Sequence, residues 1–308
     1  MPFCVIKAMH KKIYSLIIAL FFSTLAISSV FAQELSFSID RPNFSPLLAD
    51  PLEPRTGVLN FLDKSNLNLD IGHSTDLVHL AFNDSTNQIR TLSFGADFGT
   101  FSLLREESNF KFPVDAIDYI FGVNFTYTAP LSDIVSTSLP LTFSTRLRIS
   151  HISAHFEDGH YKNDAWMQGD TPFEIPFVYS REFCNLVFAV SNAFGRAYLG
   201  YQFVFNTLPK DISAHTFQTG LEYYPDILTN GLVPFFALDF KLLPLWKRSL
   251  QETNGYGGSL NIQVGLKTNG IGKRGVRVVY NYASGLDRQG MYFYQRRSFN
   301  ALGFIIDL

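Results

Sequence analysis

Short segments in which apolar and polar residues alternate recur along most of the chain. "SLNIQVGLK" places Leu260, Ile262 and Val264 on one face, and Ser259, Asn261 and Gln263 on the other. A period of two residues indicates a β-strand, because successive side chains of a strand point to opposite faces. The same alternation is found in "PFFALDFKLL", "RAYLGYQFVFNT", "FQTGLEY", "GVRVVYNY" and "LGFIIDL". We predict an all-β fold with about twelve strands from Asn66 onward.

The two faces of these strands differ in a way that favours a membrane barrel. The segments are roughly ten residues long, which suits a strand that crosses a bilayer at a tilt. The whole chain has 31 Phe and 14 Tyr. The apolar face of the strands is rich in both, and aromatic residues near strand ends are typical of outer-membrane barrels. Short connections such as "NGIGK" alternate with long ones such as residues 157–175. The charged residues expected on the inner face are Arg146, Arg148, Arg196, Glu222, Asp239, Lys267 and Arg277.

The sequence therefore predicts a transmembrane antiparallel β-barrel of about 12 strands over residues 66–308. The charged inner residues should interlock as ion pairs. About twelve strands enclose a modest lumen, so any pore should be narrow. A soluble periplasmic β protein is the alternative, because a soluble sandwich also alternates along its strands.

The first 32 residues have the composition of a secretory signal peptide. Lys7, Lys11 and Lys12 precede the apolar run "IYSLIIALFFSTLAI", and small residues lead to Ala32, after which we place the cleavage. The apolar run is shorter than the ~20 residues that a spanning helix needs. Export followed by barrel assembly would place the protein in the bacterial outer membrane.

Residues 33–65 are predicted to form an extended N-terminal arm. The segment holds Pro42, Pro46, Pro51 and Pro54, and proline interrupts the pairing of strands because it lacks a backbone donor. Such an arm could lie in the periplasm or fold into the barrel mouth. The sequence leaves both placements open.

Composition excludes several other classes of function. The formal charge is −2 with no basic stripe, which argues against nucleic acid as a partner. Cys184 is the only cysteine after Ala32, so no internal disulfide is expected. The chain has no phosphate-binding glycine loop, no Cys/His metal spacing and no Gly-x-Ser-x-Gly elbow.

One strand carries a group of residues of the types that act in catalysis. In "RISHISAHFEDGH", His151, Ser153 and His155 share the apolar face with Leu147 and Ile149. The strand then enters the longest loop, so these residues should point outward at the level of the lipid headgroups. Polar groups cost little there, so they could simply be hydrated. They could also form a nucleophile and base directed at a lipid ester, because two residues on one strand face lie ~6.5 to 7 Å apart at the backbone.

The His-x-Ser spacing resembles that of outer-membrane phospholipase A. The resemblance implies that Ser153 is the nucleophile, His151 the base and Asn185, on the next strand, the group that orients the histidine. This chain continues as Ser-Ala-His, where that enzyme has Ser-Asn-Gly. His155 and Glu182 are the alternates, since a tight register would set Glu182 or Arg181 opposite His151. By its parity Glu182 would face away from the lipid unless a bulge intervenes.

The loop after this strand is acidic. Glu157, Asp158, Asp164 and Asp170 are candidate ligands for calcium, which prefers oxygen atoms. The spacing is not that of an EF-hand, and a solvated acidic loop is the alternative.

A broader set of segments, "FSPLLADPLEPRTGV", "DYIFGVNF", "LRISHISAHFEDGH", "YSREF", "GLEYY" and "GLDRQGMYFY", follows in this order along the chain. This succession resembles a bacterial family of exported proteins known as domain of unknown function 1207. The resemblance implies a compartment and a shape but no chemistry, and it implies that the His-x-Ser stretch and "YSREF" belong to one region.

The function predicted first is an outer-membrane barrel with a structural, narrow-pore or binding role. A lipid esterase of the phospholipase type is the alternative, and the soluble β protein is the second. The partners considered are membrane lipid and a second copy of the chain, and calcium is the only cofactor considered.

Overall fold

The structure is a computed structural model that describes residues 34–40, 42–83, 89–155, 161–162, 165–166, 179–210, 212–225, 231–246 and 255–308. The predicted signal peptide, residues 1–32, lies outside these ranges. The strands are β1 Glu34–Asp40, β2 Thr56–Phe61, β3 Asn66–Asn83, β4 Ile89–Arg105, β5 Val114–Pro130, β6 Thr142–His155, β7 Tyr161–Lys162, β8 Ala165–Trp166, β9 Ser180–Asn192, β10 Gly195–Leu208, β11 His215–Tyr223, β12 Leu232–Pro244, β13 Tyr256–Thr268, β14 Gly275–Leu286 and β15 Arg296–Asp307. Single 3₁₀ turns cover Leu131–Asp133 and Gly290–Tyr292.

Twelve of these strands close into an antiparallel barrel, as the alternation predicts. Neighbours along the chain pair in order from β3 to β15, except that β6 pairs with β9, and β7 and β8 form a separate small hairpin. The barrel closes because β2 pairs with β15 on one side and with β3 on the other. Closure joins the twelve strands into a ring, as a sheet in a bilayer requires, and among the described strands β1 pairs with β3 alone.

The two faces of the wall are those of an outer-membrane-type β-barrel. Apolar side chains point outward, and Leu199 and Val278 expose 66% and 62% of their surface. Polar and charged side chains point inward, where Arg146, Arg148 and Asp239 are buried. In a bilayer the outward residues would meet lipid, while the inner polar groups satisfy one another. Among the described residues, no helix is both long and apolar enough to span a membrane.

The N-terminal arm adds strand β1 to the sheet and then enters the lumen. β1 and β2 pair with different parts of β3, and the chain between them, residues 42–55, passes through the barrel interior. Phe44 and Leu47 of this segment are 1% and 2% exposed. We call residues 42–55 the plug. The structure thus decides between the two placements that the sequence leaves open.

The barrel wall also starts earlier than predicted. β2 lies in residues 33–65, the range assigned to the arm, and its pairing with β15 closes the barrel. A strand of six residues that follows four prolines carries too little alternation to be recognised. It is stable here because both of its edges are paired.

The two ends of the barrel differ in their connections. At one end β9 and β10 are joined by residues 193–194, and β13 and β14 by residues 269–274; β15 also ends there. The connections at the opposite end include residues 156–179 and 287–295. We call these the short-turn end and the long-loop end. Outer-membrane barrels have short periplasmic turns and longer external loops.

Candidate functional site

The three residues singled out in β6 lie together on the outer face at the long-loop end. His151 and Ser153 are partly exposed and His155 is exposed, whereas the intervening Ile152 and Ala154 are buried. The alternation of β6 therefore places these side chains as the sequence predicts. We call His151, Ser153, His155 and the neighbouring Glu182 the rim cluster.

Ser153 and His155 are in hydrogen-bond contact. The Oγ atom of Ser153 lies 3.1 Å from Nε2 of His155, a distance that suits proton transfer between a hydroxyl and an imidazole. The ring of His155 packs edge-on against Tyr119 of β5, with 5.3 Å between ring centroids. This packing restricts the histidine and keeps Nε2 beside the hydroxyl.

His151 has a carboxylate partner on the neighbouring strand. Register places His151 directly opposite Glu182 of β9, and Nδ1 of His151 lies 2.9 Å from Oε1 of Glu182. A carboxylate on Nδ1 fixes the tautomer in which Nε2 is free to accept a proton. Glu182 is held in turn by the side-chain amide of Asn206, which donates to it. His151 is therefore an oriented histidine on the same face as Ser153.

The structure corrects the predicted roles of Asn185 and Glu182. Asn185 lies opposite Arg148 and Gln202, both buried on the inner face, so it points into the lumen and not toward His151. Glu182 has the opposite parity and points outward without a bulge between β6 and β9.

The prediction was wrong because β9 has apolar residues on its inner face. Val187 and Ala189 pack against Phe44 and Leu47 of the plug, and Phe183 packs against Phe101 and Ile152. Alternation alone assigns such a face to lipid. The inner face is apolar here because the plug gives it an apolar partner.

The plug is fixed by ionic contacts with the wall. Glu53 of the plug accepts hydrogen bonds from Arg146 Nη1 at 3.1 Å and from Arg148 Nη2 at 3.0 Å. Arg148 also binds Asp97 at 2.8 Å. Burial by itself would raise the pKa of Glu53, but the two guanidinium groups outweigh it and lower that pKa below its ordinary value. Glu53 is therefore a charged anchor inside the barrel.

A second anchor lies three residues earlier. Lys241 Nζ donates to Asp50 at 2.6 Å, and the amide of Gln218 donates to the same carboxylate at 2.9 Å. The backbone contributes as well, since the N–H of Leu48 donates to Glu222 at 2.8 Å. These contacts agree with the predicted interlocking of the inner charges, but several partners come from the plug. The sequence signal for this is the position of Asp50 and Glu53 within the otherwise apolar stretch "FSPLLADPLEP".

The predicted calcium ligands Glu157, Asp158, Asp164 and Asp170 lie outside the described residues. Within the described ranges, no group of three or more His, Cys, Asp or Glu residues could hold a metal ion. The prediction of a calcium site therefore stays a prediction.

No protein-family model matches the sequence, and no curated protein matches it. Among solved structures, the outer membrane phospholipase A from Escherichia coli is similar at 14% identity and a TM-score of 0.48. The alignment covers 86% of this chain and 94% of that one. An active-site mutant of the same protein, solved at pH 6.1, is similar at 13% identity and a TM-score of 0.47, with the same coverage. The resemblance to domain of unknown function 1207 stays a prediction.

Proposed function

We propose that this protein is an outer-membrane lipid esterase whose reactive groups lie in the rim cluster. The observation that carries the proposal is the contact between Ser153 and His155 on the outer face, next to the contact between His151 and Glu182. Serine needs an adjacent base to become nucleophilic. The outer location is chemically meaningful because, in a bilayer, this part of the wall would face the ester bonds of the outer leaflet.

In the proposed reaction the hydroxyl of Ser153 attacks the carbonyl carbon of a lipid ester. His155 Nε2 accepts the hydroxyl proton as the new C–O bond forms, and returns it to the departing alcohol oxygen as the ester C–O bond breaks. Water then attacks the acylated serine, again with His155 as base, and releases a fatty acid. We assign the base to His155 because it contacts Ser153, in place of His151, the base that the phospholipase resemblance implies.

The His151–Glu182 pair has the complementary half of a catalytic triad, a histidine oriented by a carboxylate. It lies on the same face as Ser153, but the hydroxyl of Ser153 contacts His155 and not His151. We propose that this pair positions the headgroup side of the lipid and is not the proton acceptor. Substitution of each histidine separates these roles.

The filled lumen supports an outer-face function over a pore. The plug crosses the interior and is anchored by Glu53 and Asp50 to Arg146, Arg148 and Lys241. Solutes would have to displace these contacts. A purely structural barrel is the competing function, and it predicts no hydrolysis.

The test is hydrolysis of phospholipid by the folded protein in mixed detergent micelles, with and without calcium. Ser153→Ala should reduce the rate by about 10³-fold or more, as expected when a nucleophile is removed. Ser150→Ala is the matched control, because Ser150 lies on the same strand but on the buried inner face. Loss in His155→Asn with activity kept in His151→Asn would support the assigned base.

Hydrolysis that survives in Ser153→Ala would refute the nucleophile. An inactive wild-type protein under both calcium conditions would refute the esterase and leave a structural barrel. Loss in His151→Asn alone would return the role of the base to His151.

A further inference from the structure

A cavity of about 100 Å³ lies inside the barrel, between the plug and the long-loop end. Its lining includes Pro51 and Leu52 of the plug, residues 286–290 and Phe293. We call this space the upper chamber. It lies on the inner side of the wall, so it is separate from the rim cluster and independent of the proposed esterase.

Several buried polar side chains that line the upper chamber have atoms without a hydrogen-bond partner. Both polar side-chain atoms of Gln289, Nε2 and Oε1, lack a hydrogen-bond partner, although the residue is only 1% exposed. Arg55 Nη1 and Asp118 Oδ1 lack one as well, at 8% and 1% exposure. Buried polar groups are nearly always paired, so an unpaired set around one cavity points to a ligand.

These groups are held in fixed positions by their other atoms. Arg55 Nε donates to Asp70 at 2.8 Å, and Arg288 Nη2 donates to the same carboxylate at 2.6 Å. Asp118 Oδ2 accepts the backbone N–H of Gly290 at 2.7 Å. A ligand would therefore meet donors and acceptors that are already oriented, which lowers the entropy cost of binding.

The charged side chains of the upper chamber indicate which functional groups a ligand would have. Two guanidinium groups bind the single carboxylate of Asp70, and each keeps a free donor, at Arg55 Nη1 and at Arg288 Nε. This side suits a carboxylate. The free oxygen of Asp118 suits a cationic donor, and the amide of Gln289 can both donate and accept.

We propose that the upper chamber binds a small zwitterionic amino acid. Its carboxylate would lie toward Arg55 and Arg288, and its ammonium group toward Asp118. The size agrees, because an engineered cavity of about 150 Å³ holds benzene and a smaller one suits a molecule the size of glycine or alanine.

The chain contains a reporter for binding. Trp246 is buried and its ring centroid lies 5.3 Å from that of Phe293, which lines the chamber. The only other tryptophan is Trp166. In a Trp166→Phe background, titration with glycine or L-alanine should change the fluorescence of Trp246 in a saturable manner.

The probes and variants separate the zwitterion from simpler ligands. Acetate lacks the ammonium group, ethylamine lacks the carboxylate and glycerol lacks both charges, so each should bind about tenfold or more weakly than glycine. Gln289→Leu and Asp118→Asn should each weaken glycine binding by about the same factor. Asp133→Asn, a change at the short-turn end, should leave it unchanged.

Thermal unfolding without ligand guards against a folding artefact. Gln289→Leu should fold at least as stably as the wild type, because it removes two unpaired buried atoms. The proposal is overturned if glycine and L-alanine give no saturable signal, if acetate binds as well as glycine, or if folded Gln289→Leu and Asp118→Asn bind like the wild type. The first of these outcomes would mean that water alone satisfies the chamber.

Discussion

Removal of the Glu53 carboxylate should release the plug and open the barrel. In Glu53→Ala, the guanidinium of Arg146 loses its two hydrogen bonds to Glu53 and that of Arg148 loses one. Arg148 keeps its bond to Asp97, but Arg146 is left as a buried charge at 2% exposure. Breaking a buried ion pair by removal of one partner costs about 3–5 kcal/mol.

This free-energy cost sets how often the plug leaves the lumen. A loss of about 3–5 kcal/mol changes the ratio of seated to released plug by roughly 10²- to 4 × 10³-fold. The Asp50 anchor and the buried Phe44 and Leu47 remain, so the barrel should still fold while the plug leaves the lumen more often. Water would then reach Arg146, which favours the released state further.

Conductance across a planar bilayer is the assay. Wild type should be silent, and Glu53→Ala should show openings. Glu106→Ala is the matched control, because Glu106 is exposed in the connection between β4 and β5 and should stay silent. The double variant Glu53→Met with Arg146→Met should be silent again, since it removes both charges together. An unchanged silent trace in folded Glu53→Ala would refute the view that this carboxylate anchors the plug, and steady conductance in wild type would refute the plug itself.

Three further predictions concern the charge of Glu53 and two closely packed glycines. Glu53 belongs to the plug and not to a strand of the wall. Its lowered pKa means that the carboxylate stays charged as the pH falls, so its stabilising contribution is lost only below the ordinary pKa of 4.5. A bilayer recording of the wild type at pH 4.5 should therefore remain silent, and openings at that pH would contradict the direction of the pKa shift. Gly290→Ala would place Cβ 2.4 Å from a ring carbon of Tyr179 and 3.0 Å from Cβ of Ala154, so the thermal midpoint should fall by an amount equivalent to about 1–3 kcal/mol. Gly303→Ala would place Cβ 1.9 Å from the carbonyl oxygen of Val58 in β2; because β2 closes the barrel, the folded band that resists detergent in an unheated gel should decrease, and a normal band would show that the closure tolerates a side chain.

The sequence predicts the wall of this protein well. Alternation is a local property, and a closed barrel requires only that most strands have one apolar and one polar face. The inward direction of Arg146, Arg148, Arg196 and Arg277 follows from this, as does the outward direction of His151 and Ser153. The count of twelve strands also agrees, although β2 begins before the predicted boundary.

The contents of the lumen could not be predicted in the same way. The contacts of Glu53 with Arg146 and Arg148 join residues 93 and 95 positions apart, and no local pattern encodes such a separation. The same difficulty caused the error at Asn185. Whether an apolar strand face meets lipid or a plug depends on a segment more than a hundred residues away.

The rim cluster and the plug use opposite faces of the same strand. β6 directs Arg146 and Arg148 inward to Glu53 and directs His151 and Ser153 outward. The pairing of His151 with Glu182 depends on the register between β6 and β9, and that register is the one in which Val187 lies opposite Arg146 and Asn185 opposite Arg148. A one-residue slip would turn every side chain of β9 to the other face, removing Glu182 from His151 and Val187 from the plug together. The apolar packing of the plug against β9 therefore stabilises the register that the outer cluster needs, which is a physical reason for a barrel with an outer-face site to fill its lumen.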